Sequence, residues 1–271
     1  MIIARPRPFI KWAGGKRRLL EQYAPHLPSQ SHFKRYLEPF LGGGALFFYL
    51  RPEKAILADL NEELINCYLM VKQHPEELID RLKRHKVTSS YFYEMRKQEP
   101  LTLSPLERAS RFIYLNKTCY NGLYRVNSSG QFNVPFGKSK STSVCDESVI
   151  RTASITLQNA HLKVSSFEDT VSEVVAGDFV YFDPPYVPLS QTASFTNYTS
   201  PAFTDRDQDK LASIARELSR KGVLVIVSNS NTEMVHRLYR GFRIELVRCN
   251  RAINSNTLGR GAVDELLIKN F

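Results

Sequence analysis

A chain of 271 residues, 42% of them apolar, can bury a sizeable core, as one large domain or as a domain with a substantial insertion. A formal net charge of +10 and a sequence pI near 9.4 point to a polyanionic partner. Cys67, Cys119, Cys145 and Cys249 stand far apart, with no C-x-x-C pair and no histidine at ligand spacing, which excludes a disulfide framework and a zinc site. The opening apolar run is too short for a signal peptide and no stretch approaches the ~18 apolar residues of a membrane span, so a reducing, cytoplasmic protein without a metal is expected.

The first motif along the chain is Phe9-Ile10-Lys11-Trp12-Ala13-Gly14-Gly15-Lys16. Its glycines let backbone approach a ligand at a helix start, and Lys16 offers a point charge. It is not a Walker loop, because the G-x-x-x-x-G-K-[ST] spacing is absent and Arg17 stands where a metal-binding hydroxyl is needed. Trp12 is either plain core or, between two lysines and two glycines, the wall of a ligand site.

A strand predicted around Tyr36–Glu38 runs into Glu38-Pro39-Phe40-Leu41-Gly42-Gly43-Gly44-Ala45 and a helix over 46–50. Such a glycine-rich strand-to-helix turn lies at the carboxyl edge of a sheet, where open α/β folds bind nucleosides. Phe47 stands where G-x-G-x-x-G needs its third glycine, which disfavours a dinucleotide and permits a smaller nucleoside. A second strand, Ala55–Asp59, ends in a carboxylate that would either reach ribose hydroxyls or simply precede a helix start at Asn61.

From about residue 61 to 145 the pattern is helical. Pro75 opens one helix, and Ser104-Pro105-Leu106-Glu107 is a capping box opening another. Asn127-Ser128-Ser129-Gly130 then reads as the turn of a β-hairpin with arms 123–126 and 131–134. Residues 1–35 hold eight Lys and Arg against one acid, and residues 60–145 hold 13 against 8 acids, so two regions carry the whole basic excess. Two basic regions around a neutral remainder favour a phosphate-lined groove.

Further strands are expected around 162–164, 179–183, 223–228, 244–247 and 265–268, with a polar loop over 190–204. The run 222–227 lacks period-2 alternation, as expected of a strand covered on both faces. The class is therefore α/β, with a doubly wound, mostly parallel sheet. The domain division drawn from this pattern is 1–60 with 146–271, and an inserted helical block plus hairpin over 61–145.

Val180-Tyr181-Phe182-Asp183-Pro184-Pro185-Tyr186 carries the chemistry. The prolines have no N–H and a fixed φ, so the turn presents carbonyls together with the Asp183 carboxylate. This acceptor-only cradle suits an exocyclic amino group with two hydrogens to donate, and Tyr186 supplies a face for the ring that carries it. An ordinary proline turn after a strand is the plainer alternative.

Lys11 to Lys16, Glu38-Pro39-Phe40 with Gly42-Gly43-Gly44, Ala58-Asp59, Tyr120-Asn121-Gly122-Leu123, residues 132–137, Asp183-Pro184-Pro185-Tyr186 and residues 263–267 together resemble the Dam-type, D12 class DNA adenine-N6 methyltransferases, in motif order and nearly end to end. The resemblance implies a seven-stranded class I methyltransferase-like sheet and S-adenosylmethionine as methyl donor. It places Trp12, Lys16, Asp59 and Asp183 at the cofactor pocket, with Glu38, Phe40 and Gly42 in the same motifs, and makes 61–145 a target-recognition domain. It implies catalysis by Asp183, Pro184 and Tyr186 on an adenine flipped from duplex DNA, in a target expected to be GATC. Arg125 matches the guanine-reading arginine, Tyr120 and Asn121 the position that enters the vacated space or contacts the orphaned partner base, Lys11 and Pro135 base-contacting positions. Lys138 is a further DNA contact, standing where arginine is common in the family. A monomer is expected. The rival readings are an amino-methyltransferase acting on RNA adenine or cytosine N4, and a catalytically silent DNA-binding regulator.

Overall fold

The computed structural model describes residues 5–137, 143–188, 203–250 and 262–271. Seven strands form one sheet: β1 (Tyr36–Glu38), β2 (Ala55–Asp59), β3 (Ala160–Val164), β4 (Phe179–Phe182), β5 (Leu224–Ser230), β6 (Arg243–Asn250) and β7 (Ala262–Lys269). Their order is β3-β2-β1-β4-β5-β7-β6. The first five are paired in parallel, and β7 lies antiparallel between β5 and β6.

Short all-apolar strands belong in the middle of such a sheet because helices cover both faces. Along β4, Phe179 and Tyr181 join one core, and Val180 and Phe182 the other. The helices are α1 (Leu20–Tyr23), α2 (Ala45–Leu50), α3 (Glu62–Gln73), α4 (Pro75–Lys83), α5 (Ser89–Lys97), α6 (Pro105–Thr118), α7 (Glu147–Leu157), α8 (Phe167–Val171), α9 (Asp205–Arg220) and α10 (Glu233–Leu238). Residues of α8, α9 and α10 cover the Val180 face. Those of α2 through α7 share the core on the Tyr181 face, which continues without a break from the sheet into the helical block. The helix α3 itself packs on β2, β3 and α7.

Local signals hold where they were read. The Ser104–Glu107 capping box is formed, Pro75 occupies the first turn of α4, and the Asn61 side chain caps α3 by accepting from Leu64 N at 3.1 Å. Strand limits differ at their ends. β3 begins at Ala160 rather than 162, since pairing of Ala160 with Ala55 and of His161 with Ile56 extends the ladder past the apolar pattern. β4 stops at Phe182, leaving Asp183 just beyond the sheet.

The expected hairpin forms no regular strands. Its arms meet at one isolated pair, Val126 with Phe132, and a second pair, Cys119 with Phe136, lies beyond them. Pro135 has no N–H to donate and Asn121 sits at φ 55°, so a continuous ladder cannot run through this segment. Its tip is closed by Asn127 Oδ1, which accepts from Ser129 N at 3.1 Å and Gln131 N at 2.9 Å. Most of the polar loop expected over 190–204 lies outside the described residues, apart from Phe203 and Thr204, the latter the N-cap of α9.

Candidate active site

From β1 the chain moves outward to β2, and from β4 it moves the opposite way to β5, while β1 and β4 are neighbours. Their carboxyl ends therefore flank the topological switch point, where open α/β sheets bind ligands. The glycine turn leaves β1 there, and Asp183 leaves β4 there.

The turn needs its glycines. Gly42 has φ +47°, and a Cβ on it would lie 2.6 Å from Trp12 Cδ1; Gly44 has φ +62°, and its Cβ would meet the Tyr68 hydroxyl at 2.9 Å. Trp12 is half-buried against this turn. Asp59 ties the turn to β2, its Oδ2 accepting from Gly42 N and its Oδ1 from Asn61 N, both at 3.0 Å. Asp59 leads into the helix start, and each of its oxygens keeps a lone pair for a further donor. Burial raises its pKa, against the pull of those amides.

Glu38 is 3% exposed and accepts from the Tyr36 hydroxyl at 2.8 Å. Burial pushes its carboxyl up to about 8, Tyr36 opposes the rise, and Asp183 and Asp59 add to it. Phe40 stacks on Phe167 at 5.4 Å and meets Phe203 edge-on at 5.7 Å, an apolar wall on the other side of the turn.

Asp183 is 21% exposed and paired with Lys16, which is 4% exposed, at 2.9 Å between Nζ and Oδ1. The same ammonium donates to Gly14 O at 2.6 Å and lies 4.7 Å over the Tyr186 ring. Ser228 Oγ donates to Asp183 Oδ1 at 2.7 Å and is within 3.1 Å of the Tyr181 hydroxyl. The Tyr186 hydroxyl donates to Glu265 Oε2 at 2.9 Å, and burial holds that phenol well above its ordinary pKa. Pro184 is buried and Pro185 exposed.

Lys11, Tyr120, Asn121, Arg125 and Pro135 gather on the hairpin side. Asn116, fully buried on α6, accepts from Lys11 N and donates to Lys11 O, each at 2.8 Å, and donates to Gly122 O at 3.1 Å. A Cβ on Gly122, at φ +65°, would run into the Lys11 side chain. Tyr120 is 53% exposed and its N donates to Pro135 O at 2.9 Å. Arg125 is exposed, with Nε donating to Asn133 Oδ1 at 2.7 Å. Trp12 links the glycine turn to the hairpin segment by stacking on Tyr124 at 5.8 Å with ring planes 18° apart. Lys138 lies outside the described residues. Among the described residues no group of three or more metal-ligating side chains gathers, and no helix is long and apolar enough to cross a membrane.

Residue-by-residue reading missed Asn116, Tyr124, Glu265 and the polar end of β5, Ser228-Asn229-Ser230. The last left a signal: three consecutive polar residues closing an apolar strand beside β4.

A glycine turn and the strand-end carboxyls Glu38, Asp59 and Asp183 come together at this switch point, where open α/β sheets bind nucleosides. A family model for D12 class N6 adenine-specific DNA methyltransferases matches residues 12–253. The chain belongs to that family. Curated relatives include the type II methyltransferase M1.LlaDCHI of Lactococcus lactis, 42% identical over 98% of this chain and 95% of its own length. M.MjaIII of Methanocaldococcus jannaschii is 40% identical, over 98% of this chain and 99% of its own. The DNA adenine methylase of Escherichia coli is 37% identical, over 96% and 94%. An adenine-directed DNA methyltransferase uses S-adenosylmethionine as methyl donor and DNA as substrate. The residues present fit that donor: each Asp59 oxygen keeps a lone pair for a ribose diol, and Trp12 sets a half-buried ring against the glycine turn.

Proposed function

We propose that this D12 methyltransferase transfers a methyl group to N6 of an adenine flipped from duplex DNA, within GATC. The observation that carries the reading is the Asp183 carboxylate, held beside the glycine turn at the switch point with Tyr186 and Lys16 against it. Extruding the base costs roughly a few kcal/mol. Phosphate contacts and stacking on Tyr186, a kind of contact worth about 1–3 kcal/mol per base, offset it. The N6 lone pair is delocalised into the ring, so nitrogen needs acceptors on both hydrogens to become pyramidal and nucleophilic; Asp183 and Pro184 O supply them. S-adenosylmethionine supplies an electrophilic methyl group on a sulfonium. Once methylated, N6 is cationic and acidic, and Asp183 need only accept its hydrogen bond.

Trp12, Lys16, Glu38, Phe40, Gly42 and Asp59 would hold the cofactor. Residues 61–145 form the recognition domain on a catalytic body of 1–60 and 146–271. Arg125 forks onto guanine O6 and N7, a contact discriminating by about 1–3 kcal/mol. Tyr120 and Asn121 enter the space the adenine leaves, with Lys11, Pro135 and Lys138 as further DNA contacts. Exposure of Tyr120 and Arg125, and the left-handed backbone at Asn121, support a projecting reader.

The test is incubation with S-adenosylmethionine and a random-sequence plasmid, followed by single-molecule mapping of modified adenines. Methylation confined to GATC is expected from the parent. Asp183→Ala should give none while still binding cofactor and DNA, and near-normal turnover from it removes the mechanism. Arg125→Ala should methylate outside GATC; unchanged selectivity refutes the guanine assignment.

A further inference from the structure

The end of β5 grips the Asp183 loop at successive atoms. Ser228 Oγ donates to Asp183 Oδ1 at 2.7 Å. Asn229 Oδ1 accepts from Val187 N at 3.1 Å, and its Nδ2 donates to Gln208 Oε1 at 3.0 Å. Gln208 Nε2 in turn donates to Pro185 O at 2.8 Å, and Ser230 Oγ donates to Val187 O at 2.6 Å. Every one of these side chains is at most 2% exposed. Buried polar groups that satisfy one another fully fix geometry, because each alternative arrangement strands a donor or acceptor out of water.

The clamp also sorts the loop's acceptors. Pro185 O and Val187 O are taken, and Asp183 Oδ1 is held between Ser228 Oγ and the Lys16 ammonium. Among the described residues no hydrogen-bond donor reaches Asp183 Oδ2 or Pro184 O. We infer that Ser228 is a positioning residue for methyl transfer: by holding Oδ1 it turns Oδ2 outward, so that Oδ2 and Pro184 O are the two acceptors for the amino hydrogens. The inference rests on the reading of Asp183 as the acceptor of the target amine. Tyr181, 3.1 Å from Ser228 Oγ and buried, orients the serine hydroxyl from behind without touching the carboxylate.

The decisive measurement is the single-turnover rate with tritiated S-adenosylmethionine and a duplex carrying one target. Loss of a hydrogen bond to a charged group predicts a rate lower by on the order of ten- to a hundredfold in Ser228→Ala. Cofactor and DNA dissociation constants should stay within about threefold, because Ser228 is fully buried. Ser228→Cys, which keeps the volume and a weak donor, should fall between. A Ser228→Ala rate within threefold of the parent overturns the inference. So does a rate that falls only together with both affinities and the melting temperature, the mark of a purely structural role. Should Ser228→Ala not fold, Ser228→Cys decides: a slowed, normally melting enzyme supports the inference, and parental turnover overturns it. Asp183→Ala separates the two levels, since an active Asp183→Ala enzyme refutes the underlying reading, whereas an inactive one beside a normal Ser228→Ala refutes only the role of Ser228.

Discussion

Glu38 closes β1 with a carboxyl that water barely reaches, and Asp183 and Asp59 are both close enough to disfavour a third negative charge. Its pKa of about 8, raised from 4.5, means that the folded protein keeps a proton the unfolded chain releases over that interval. The stability linked to Glu38 is therefore full below about pH 4.5 and falls as pH rises towards 8. His85 acts with the opposite sign: burial lowers it from 6.5 to about 4, so its share is lost as pH falls through that range and is constant above it. Urea midpoints between pH 6.5 and 8 thus isolate Glu38. Glu38→Gln, which cannot ionise, should flatten the decline seen in the parent. Parallel declines would mean that Glu38 is ionised in the fold. The carboxyl was legible as part of a glycine-turn motif, but not its burial, which Tyr36 and the helix after the turn impose together.

At the scale of elements, the glycine turn owes its shape to what packs on it. Gly42 and Gly130 both have positive φ, +47° and +74°, yet nothing lies within 4 Å of a Cβ on Gly130, whereas one on Gly42 meets the Trp12 ring at 2.6 Å. Gly130→Ala should cost only backbone strain, about 1 kcal/mol in a urea titration. Gly42→Ala should cost more and also displace Trp12, lowering cofactor affinity at least tenfold by equilibrium titration; parental affinity would place the cofactor elsewhere than along this turn. Elements with a local cause were readable in advance. The capping box of α6 lies within four residues, and β4 is an apolar run that needs cover on both faces. The hairpin was readable only as a turn, because its arms pair at a single isolated place, while the chain on either side is held by contacts of Tyr120 with Pro135 and of Asn116 with Lys11 and Gly122.

At the scale of the whole molecule, the two basic regions meet at Lys117. Burial lowers the pKa of Lys117 on α6; Lys11, Arg7 and Arg17, from the N-terminal segment, lower it further, against the opposing pull of Asp146. Like charges held together await a polyanion, and phosphates relieve the repulsion while releasing counterions. DNA affinity should therefore fall steeply with salt, with a log–log slope of about −0.9 for each phosphate engaged. Lys117→Gln should reduce that slope by about one and leave the set of methylated adenines unchanged, as read by filter binding and methylation mapping. An unaltered slope would put Lys117 away from the backbone.

What the sequence by itself determined is whatever a short window encodes: the strands, the capped helices, the acceptor turn at Asp183 and the motif order of a D12 methyltransferase. The tertiary structure alone decided which windows meet. Lys16 and Ser228 stand 167 and 45 residues from Asp183 in the chain, and their contacts with its Oδ1 exist only because β4 lies between β5, which carries Ser228, and β1, whose following helix packs on the Lys16 turn. Hydrogen bonds and ion pairs act over about 3 Å, so their partners are set by sheet order rather than by spacing along the chain.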